Sequence, residues 1–134
     1  MQTVLEILSK TEAFFAQKGV PSPKTDAQLL LAHALGCKRL ELFLRFDEPL
    51  SEERLAKVRE LVRRRGRREP LQHILGSQEF FGVSIKCDAR ALIPRPETEE
   101  LCEIISEKFF PDCGAPLEIL DLGTGSGAIA VSLA

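Results

Sequence analysis

Several residue types are scarce or missing in this chain of 134 residues, which has no tryptophan, no tyrosine and a single methionine. Its eight phenylalanines are the only aromatic side chains. No apolar run approaches the ~18 residues of a membrane span, and the longest, "LLLAHAL", predicts a core helix. The opening "MQTVLEILSK" has no basic start and is interrupted by Glu6, so it does not predict a targeting segment.

Recognised metal-binding patterns are also missing. None of the cysteines forms a C-x-x-C pair, and the two histidines, His33 and His73, lie near no cysteine at metal-ligand spacing. We therefore expect free thiols in a cytoplasmic protein and no metal site. His33 lies within an apolar helical pattern, which predicts a histidine in the core. The four cysteines are Cys37, Cys87, Cys102 and Cys113.

The overall charge excludes little, but one stretch is strongly basic. Eighteen lysines and arginines nearly balance 20 acids, and the net charge of −2 gives no general reason to expect nucleic acid or an anionic membrane as partner. The run "RRRGRRE" (63–69) has two interpretations. It is a solvated helix end stabilised by the helix dipole, or a docking patch for an acidic or nucleic-acid surface. No aromatic residue is interleaved with it, which argues against base stacking.

The first part of the chain, residues 1–72, predicts a bundle of four short amphipathic helices. Thr3 and Ser51 are candidate N-caps, and Ser22 is followed by Pro23 at the first helical position. Gly19 and Gly36 are candidate helix ends. The helical stretches are "TVLEILSKTEAFFAQKG" (3–19), "SPKTDAQLLLAHALG" (22–36), "KRLELFLRF" (38–46) and "SEERLAKVRELVRRRG" (51–66).

The hydrophobic period then changes from helix to strand. In "SQEFFGVSIKCDA", the apolar residues Val83, Ile85 and Cys87 alternate with polar ones, which is strand spacing. Gly82 separates two strand-like halves, so a hairpin is predicted over roughly 77–88. We assign residues 73–93 to a β-hairpin connector.

The remainder, 94–134, predicts the opening of an α/β sheet. Pro94 and Pro96 force an extended segment around Arg95. A helix with an acidic first turn follows, and then "LEILDLG" (117–123) predicts a buried strand leading to a glycine-rich loop and another helix. The overall fold class is therefore α+β. The predicted buried stripe of the first of these helices consists of Leu101, Ile104, Ile105 and Phe109.

The glycine-rich loop "DLGTGSG" is the clearest candidate binding element. Glycine lets a backbone turn sharply and lets a ligand approach the amides. Gly123, Gly125 and Gly127 alternate, and with Ala128 they also fit the dinucleotide pattern G-x-G-x-x-A. The single-residue spacing, and Asp121 two residues before the first glycine, favour a different ligand. This combination resembles motif I of methyltransferases that use S-adenosylmethionine.

The upstream segments make the resemblance more specific. "LIPRPETEEL" (92–101) precedes "ILDLGTGSGAIA" (119–130), and "EPLQHILGSQEFFG" (69–82) precedes both. Together with a helical N-terminal part, these stretches resemble the HemK/PrmC family. The family methylates the side-chain amide of glutamine in the Gly-Gly-Gln motif of peptide chain release factors. The resemblance covers the whole chain and is densest over 69–134.

The resemblance implies an architecture and a set of site residues. A substrate-recognition bundle and a hairpin lead into a Rossmann-like catalytic domain, in a parent that is monomeric and cytoplasmic and acts on protein rather than on membranes or nucleic acid. His73 stands where the family often has a tyrosine. The implied S-adenosylmethionine-binding residues are Gly123, Thr124, Gly125, Ser126 and Gly127 in the loop, Asp121 before it, and Arg95, Pro96, Glu97 and Thr98 beside the pocket.

Two elements that the family needs are expected to lie beyond Ala134. One is an acid that holds the ribose hydroxyls, and the other is an Asn-Pro-Pro-Tyr motif that grips the target amide. We therefore expect no catalytic residue in this chain, which we interpret as the inactive N-terminal part of a methyltransferase. Three alternatives remain open: an adenine or cytosine amino-methyltransferase, a helical protein-binding module in 1–70, and a nicotinamide enzyme. The "RPETE" pairing and the slightly acidic balance disfavour the first.

Overall fold

The computed structural model describes residues 2–111, 114 and 117–134, and the chain divides into two compact units. The first ends at Ile74 and the second comprises Leu75–Ala134. Cys113, predicted to be a free thiol, lies outside the described residues, whereas Cys37, Cys87 and Cys102 are free thiols.

The first unit is helical. Thr3 and Pro49 form an isolated antiparallel bridge that joins the start of the unit to the segment before its third α-helix. Its α-helices pack in sequence, α1 on α2 and α2 on α3. The elements are α1 (Val4–Gln17), α2 (Pro23–Leu35), a 3₁₀ helix (Glu41–Arg45), α3 (Glu52–Gly66) and α4 (Leu71–Leu75).

The ends of these helices are set by local sequence. The Thr3 hydroxyl accepts a hydrogen bond from the amide of Glu6, whose carboxylate accepts one from the amide of Thr3, a reciprocal capping box. Ser51 caps α3 by accepting from the amide of Arg54. Gly36 ends α2 with φ of 66°, the left-handed conformation typical of a helix C-terminus. These predicted caps are confirmed. Ser22 lies at the N-cap of α2, but its side chain makes no capping hydrogen bond.

The core of the first unit is mainly apolar, and its buried polar residues are Thr11, Asp26 and Gln28. Arg39 Nε donates to Gln28 Oε1 over 2.8 Å, so this buried side chain is hydrogen-bonded, as burial of a polar group requires. The prediction that His33 is a core residue is wrong. His33 is exposed, because the buried face of α2 runs through neighbouring positions and leaves residue 33 beyond its edge. Fully buried hydrophobic side chains are Val4, Phe15, Leu30, Leu31 and Leu42.

The basic run is largely occupied with bonds inside the first unit. Arg65 Nε lies 2.7 Å from Asp26 Oδ2, with side chains only 14% and 8% exposed, and this ion pair fastens α3 to α2. Arg64 Nε donates to Glu69 over 2.9 Å and holds the pKa of that carboxyl below its usual value. Arg68 donates to the carbonyl of Gly19. These bonds favour a structural interpretation of the run over a docking patch.

We predict that residues 1–74 fold without the rest of the chain. The unit has its own apolar core and locally encoded caps, so its formation does not depend on distant sequence. A fragment of residues 1–74 is expected to give a helical circular dichroism spectrum and a single cooperative thermal transition. A broad, non-cooperative melt would show that the unit needs the remainder of the chain.

The Asp26–Arg65 pair is predicted to contribute strongly to stability. Asp26→Ala leaves a largely buried guanidinium without its partner and is expected to lower the free energy of unfolding by about 3 kcal/mol. Urea unfolding followed by circular dichroism measures this. Lys24→Ala, at an exposed position on the same helix, serves as the control and is expected to change stability by less than about 0.5 kcal/mol. Equal effects of the two substitutions would contradict the prediction.

The described residues of the second unit form one hairpin and two helices. Strands β1 (Ser77–Phe80) and β2 (Val83–Lys86) pair antiparallel, with Phe80 opposite Val83. Phe81 and Gly82 form the two-residue turn with φ of 48° and 74°, the combination of a type I′ turn. The hairpin predicted over roughly 77–88 is therefore confirmed. The helices are α5 (Pro96–Phe109) and α6 (Ala128–Leu133).

Two predictions for this unit are wrong. Residues 117–122, all described, form no strand, and Leu120 and Leu122 are 81% and 83% exposed. A central parallel strand requires hydrogen-bonded neighbours, and the two strands of this unit pair with each other. The predicted stripe of α5 is not buried either. Ile105 is partly buried, Leu101, Ile104 and Phe109 are exposed, and α5 buries Cys102 instead. The described residues give an α+β fold and do not confirm the predicted α/β sheet.

Candidate functional site

The glycine-rich loop has the backbone conformation that its glycines predict. Gly123, Gly125 and Gly127 have φ of 74°, 58° and 79°, whereas φ of the intervening Thr124 and Ser126 is not positive. Only glycine adopts such positive values without steric cost. The glycines place no Cβ on the loop, so a ligand can approach its backbone closely.

Asp121 is tied to this loop. The Thr124 hydroxyl donates to Asp121 Oδ2 over 2.9 Å, and the amide of Gly127 donates to the carbonyl of Thr124 over 2.9 Å. The carboxylate is half-buried. Because a carboxylate accepts several hydrogen bonds, Asp121 keeps capacity for a cationic or hydroxyl donor of a ligand. The loop thus presents backbone donors and one acid together.

The second predicted part of the site, residues 95–98, lies at the start of α5. Arg95 is the N-cap residue and Pro96 occupies the first turn, as the extended Pro94–Pro96 pattern predicts. Arg95 Nε lies 3.9 Å from a Glu97 carboxylate oxygen, with both side chains more than two thirds exposed, so this ion pair is weak. The Arg95 guanidinium therefore stands in solvent beside the helix start, where an anionic group can approach it.

The helices at the two parts of the site meet around Cys102. Cys102 of α5 packs with Ala128 and Leu133 of α6 in one buried core. Burial raises the pKa of the Cys102 thiol, and the charges of Glu99 and Asp121 raise it further. Helices α5 and α6 also pack together. The elements that follow the two predicted segments share one small core.

The site is open rather than enclosed. A cavity of about 490 Å³ lies along the apolar segment before the loop, and Asp121 is the one predicted site residue that lines it. Gly123, Thr124 and Gly125 are exposed. The predicted loop conformation is therefore present in residues that are open to solvent. The cavity is lined by Phe110, Leu117, Ile119, Asp121, Ala130, Leu133 and Ala134.

Two polar residues whose hydrogen bonds hold Pro94 and the start of α5 in place were not predicted from the sequence. Glu99 was predicted only as an acid of the first helical turn, yet its Oε1 accepts a 2.7 Å hydrogen bond from the amide of Phe81. Gln78 Nε2 donates to the carbonyl of Pro94 over 3.1 Å. Neither bond has a local sequence signal, since the partners are 18 and 16 residues apart.

Other predicted features were also located. His73, on α4, has a buried Nε2 without a hydrogen-bond partner among the described residues. Within the described residues, no three His, Cys, Asp or Glu side chains group in a way that could hold a metal ion. None of the described helices combines the length and the apolar character that crossing a membrane requires.

Comparison with known proteins identifies relatives along nearly the whole chain. A release factor glutamine methyltransferase of Rhodopirellula baltica is 47% identical over 135 residues, which is 98% of this chain and 45% of that protein. One of Geobacter sulfurreducens is 43% identical over the same shares of the two chains. The MTRF1L release factor glutamine methyltransferase of Homo sapiens is 36% identical, covering 99% of this chain and 41% of that protein. The chain thus spans less than half the length of these curated relatives.

A family model gives the assignment. The model described as the PrmC N-terminal domain matches residues 6–76, more than half of the chain. The match includes Ser51 and the helix α3 that it caps, the ion pair between α2 and α3, and α4. It extends to Gly76, immediately before the hairpin. The resemblance to the HemK/PrmC family is confirmed, and the chain belongs to the PrmC N-terminal domain family.

Proposed function

We propose that this chain supplies the N-terminal part of a methyltransferase that uses S-adenosylmethionine to methylate the glutamine amide in the Gly-Gly-Gln motif of peptide chain release factors. The observation that carries the proposal is the extent of the matches. Relatives named release factor glutamine methyltransferase align with 98% of the chain, including the glycine loop and the segment before α5. The parent is proposed to be monomeric and cytoplasmic.

The cofactor fits the chemistry of the loop. S-adenosylmethionine carries an ammonium and a carboxylate on its amino-acid end and hydroxyls on its ribose, and it supplies an electrophilic methyl group when bound. The positive-φ glycines leave the loop backbone open, with no atom within 4 Å of where a side chain would start at Gly123. We propose that the loop residues 123–127 contact the cofactor and that Asp121 orders its ammonium end.

Residues 95–98, at the start of α5, are proposed to cover the cofactor from the side. Arg95, Pro96, Glu97 and Thr98 stand at the start of a helix that packs, through Cys102, against the helix following the loop. Their exposed or half-buried side chains leave them available to a ligand. In this arrangement the segment limits solvent access to one flank of the bound cofactor.

Methyl transfer to an amide makes a strong demand on positioning. A neutral amide nitrogen is a poor nucleophile, so alignment and polar contacts must supply much of the rate enhancement. We propose that the groups that grip the target amide lie in the part of the relatives that this chain does not cover. For this chain we propose a recognition bundle (1–72), a hairpin connector (73–93) and the start of the cofactor-binding domain (94–134).

The 134-residue chain is predicted not to bind S-adenosylmethionine measurably. Cofactor affinity in such sites comes from several strand ends that converge at one sheet edge, and here residues 117–122 form no strand. Calorimetry at tens of micromolar protein is expected to show no binding heat. Clear one-to-one binding would contradict this and would mean that the loop and the segment 95–98 suffice.

A chimera is predicted to gain both binding and activity. It joins the remainder of the Rhodopirellula baltica relative after Ala134, and that relative itself serves as the positive control. We expect cofactor binding and methylation of glutamine in a release factor, detected by mass spectrometry of the Gly-Gly-Gln peptide. Cofactor binding with methylation of adenine or cytosine in place of glutamine would refute the proposed substrate.

A further inference from the structure

The hairpin forms two hydrogen bonds that flank residues 95–98. Gln78 on β1 donates to the carbonyl of Pro94, and the amide of Phe81 in the turn donates to Glu99 in the first turn of α5. Pro94 is buried. The four residues 95–98, proposed to flank the cofactor, therefore lie between two hydrogen-bonded anchors that both belong to the hairpin.

The hydrogen bond to Glu99 also stabilises the hairpin turn, whose backbone conformation is unfavourable. Phe81 has φ of 48°, a left-handed value that is unfavourable for a bulky residue. A part-buried amide without a partner would add a desolvation cost. The Glu99 carboxylate removes that cost through a hydrogen bond of 2.7 Å, and charge-assisted bonds of this kind are stronger than neutral ones. The turn and the start of α5 therefore stabilise each other.

The same hairpin reaches the glycine loop through the core. Phe80 and Ile85 on its strands pack with Cys102 of α5 and with Ala128 and Leu133 of α6. Ala128 directly follows the last loop glycine. The hairpin thus contacts α5, which carries residues 96–98, and α6, which follows the glycine loop. A shift of α5 relative to the hairpin would therefore move residues 96–98 relative to α6.

We propose that Glu99 is a positioning residue for cofactor binding: through the Phe81 amide it fixes the start of α5 so that residues 95–98 stand beside the glycine loop. The inference rests on the proposed function, because it assigns Glu99 a role in the same cofactor site. It differs from a direct ligand role, since the Glu99 oxygen is engaged with protein backbone.

The first test needs no cofactor and uses the 134-residue chain. Glu99→Ala is expected to accelerate amide hydrogen exchange, measured by NMR, by roughly tenfold at Phe81 and also at Thr98, whose amide bonds to the carbonyl of Arg95. Glu99→Gln keeps an acceptor oxygen and is expected to restore most of the protection. Glu100→Ala, at the exposed neighbouring position, is the matched control and is expected to change neither amide. Faster exchange at Phe81 with Thr98 unchanged would overturn the proposal.

The second test uses the chimera and separates positioning from general stability. Glu99→Ala is expected to weaken S-adenosylmethionine binding about tenfold, with Glu99→Gln close to the unsubstituted protein. Cys87→Ala truncates a buried side chain just after β2, outside the core that Cys102 shares with α6, and serves as the control. The two variants are compared at temperatures at which they are equally folded. Equal loss of affinity in the Glu99→Ala and Cys87→Ala variants would overturn the positioning role. If the unsubstituted chimera binds no cofactor while both amides respond as expected, the proposed function fails and the positioning of the segment stands.

Discussion

The pairing of β1 with β2 is the interaction on which the second unit depends. Backbone amides and carbonyls that leave water need partners, and the hairpin satisfies those of its two strands internally. Its strands then present Phe80 and Ile85 to the small core that gathers α5 and α6. Residues 117–122 have no comparable pairing and remain exposed despite their apolar sequence. Backbone pairing therefore distinguishes the hairpin, which buries Phe80 and Ile85, from the exposed segment 117–122.

In the helical unit a buried ion pair has the corresponding role. Asp26 and Arg65 are remote in sequence and meet at 2.7 Å where α2 and α3 adjoin. A mostly buried charge is tolerated only with a close partner, so the pair specifies how the two helices meet. The basic run also forms bonds within this unit. Its arginines neutralise Asp26 and Glu69 and bind the Gly19 carbonyl within the same unit.

Features that depend on neighbouring residues could be predicted from the sequence, and those that depend on distant partners could not. The Thr3 and Ser51 caps act within three residues and were found where expected. The turn glycine Gly82 also marked its hairpin. The prediction of a strand over 117–123 was wrong because a strand forms only where neighbouring strands supply hydrogen-bond partners. The predicted burial of the apolar stripe of α5 was wrong for the same reason, because an apolar pattern does not specify which element packs against it.

The same distinction between local features and features that need distant partners applies to the candidate site. The glycine spacing encodes the positive φ values of the loop, and these are present although residues 117–122 before it form no strand. Residues 95–98 lie instead between two hydrogen bonds from the hairpin residues Gln78 and Phe81, which are more than a dozen residues upstream of their partners. Loop shape is thus a local property, whereas the start of α5 is held by a distant part of the chain. A loop of this kind keeps its conformation without the rest of a binding site, and affinity for a ligand also requires that the groups opposite it are held in place.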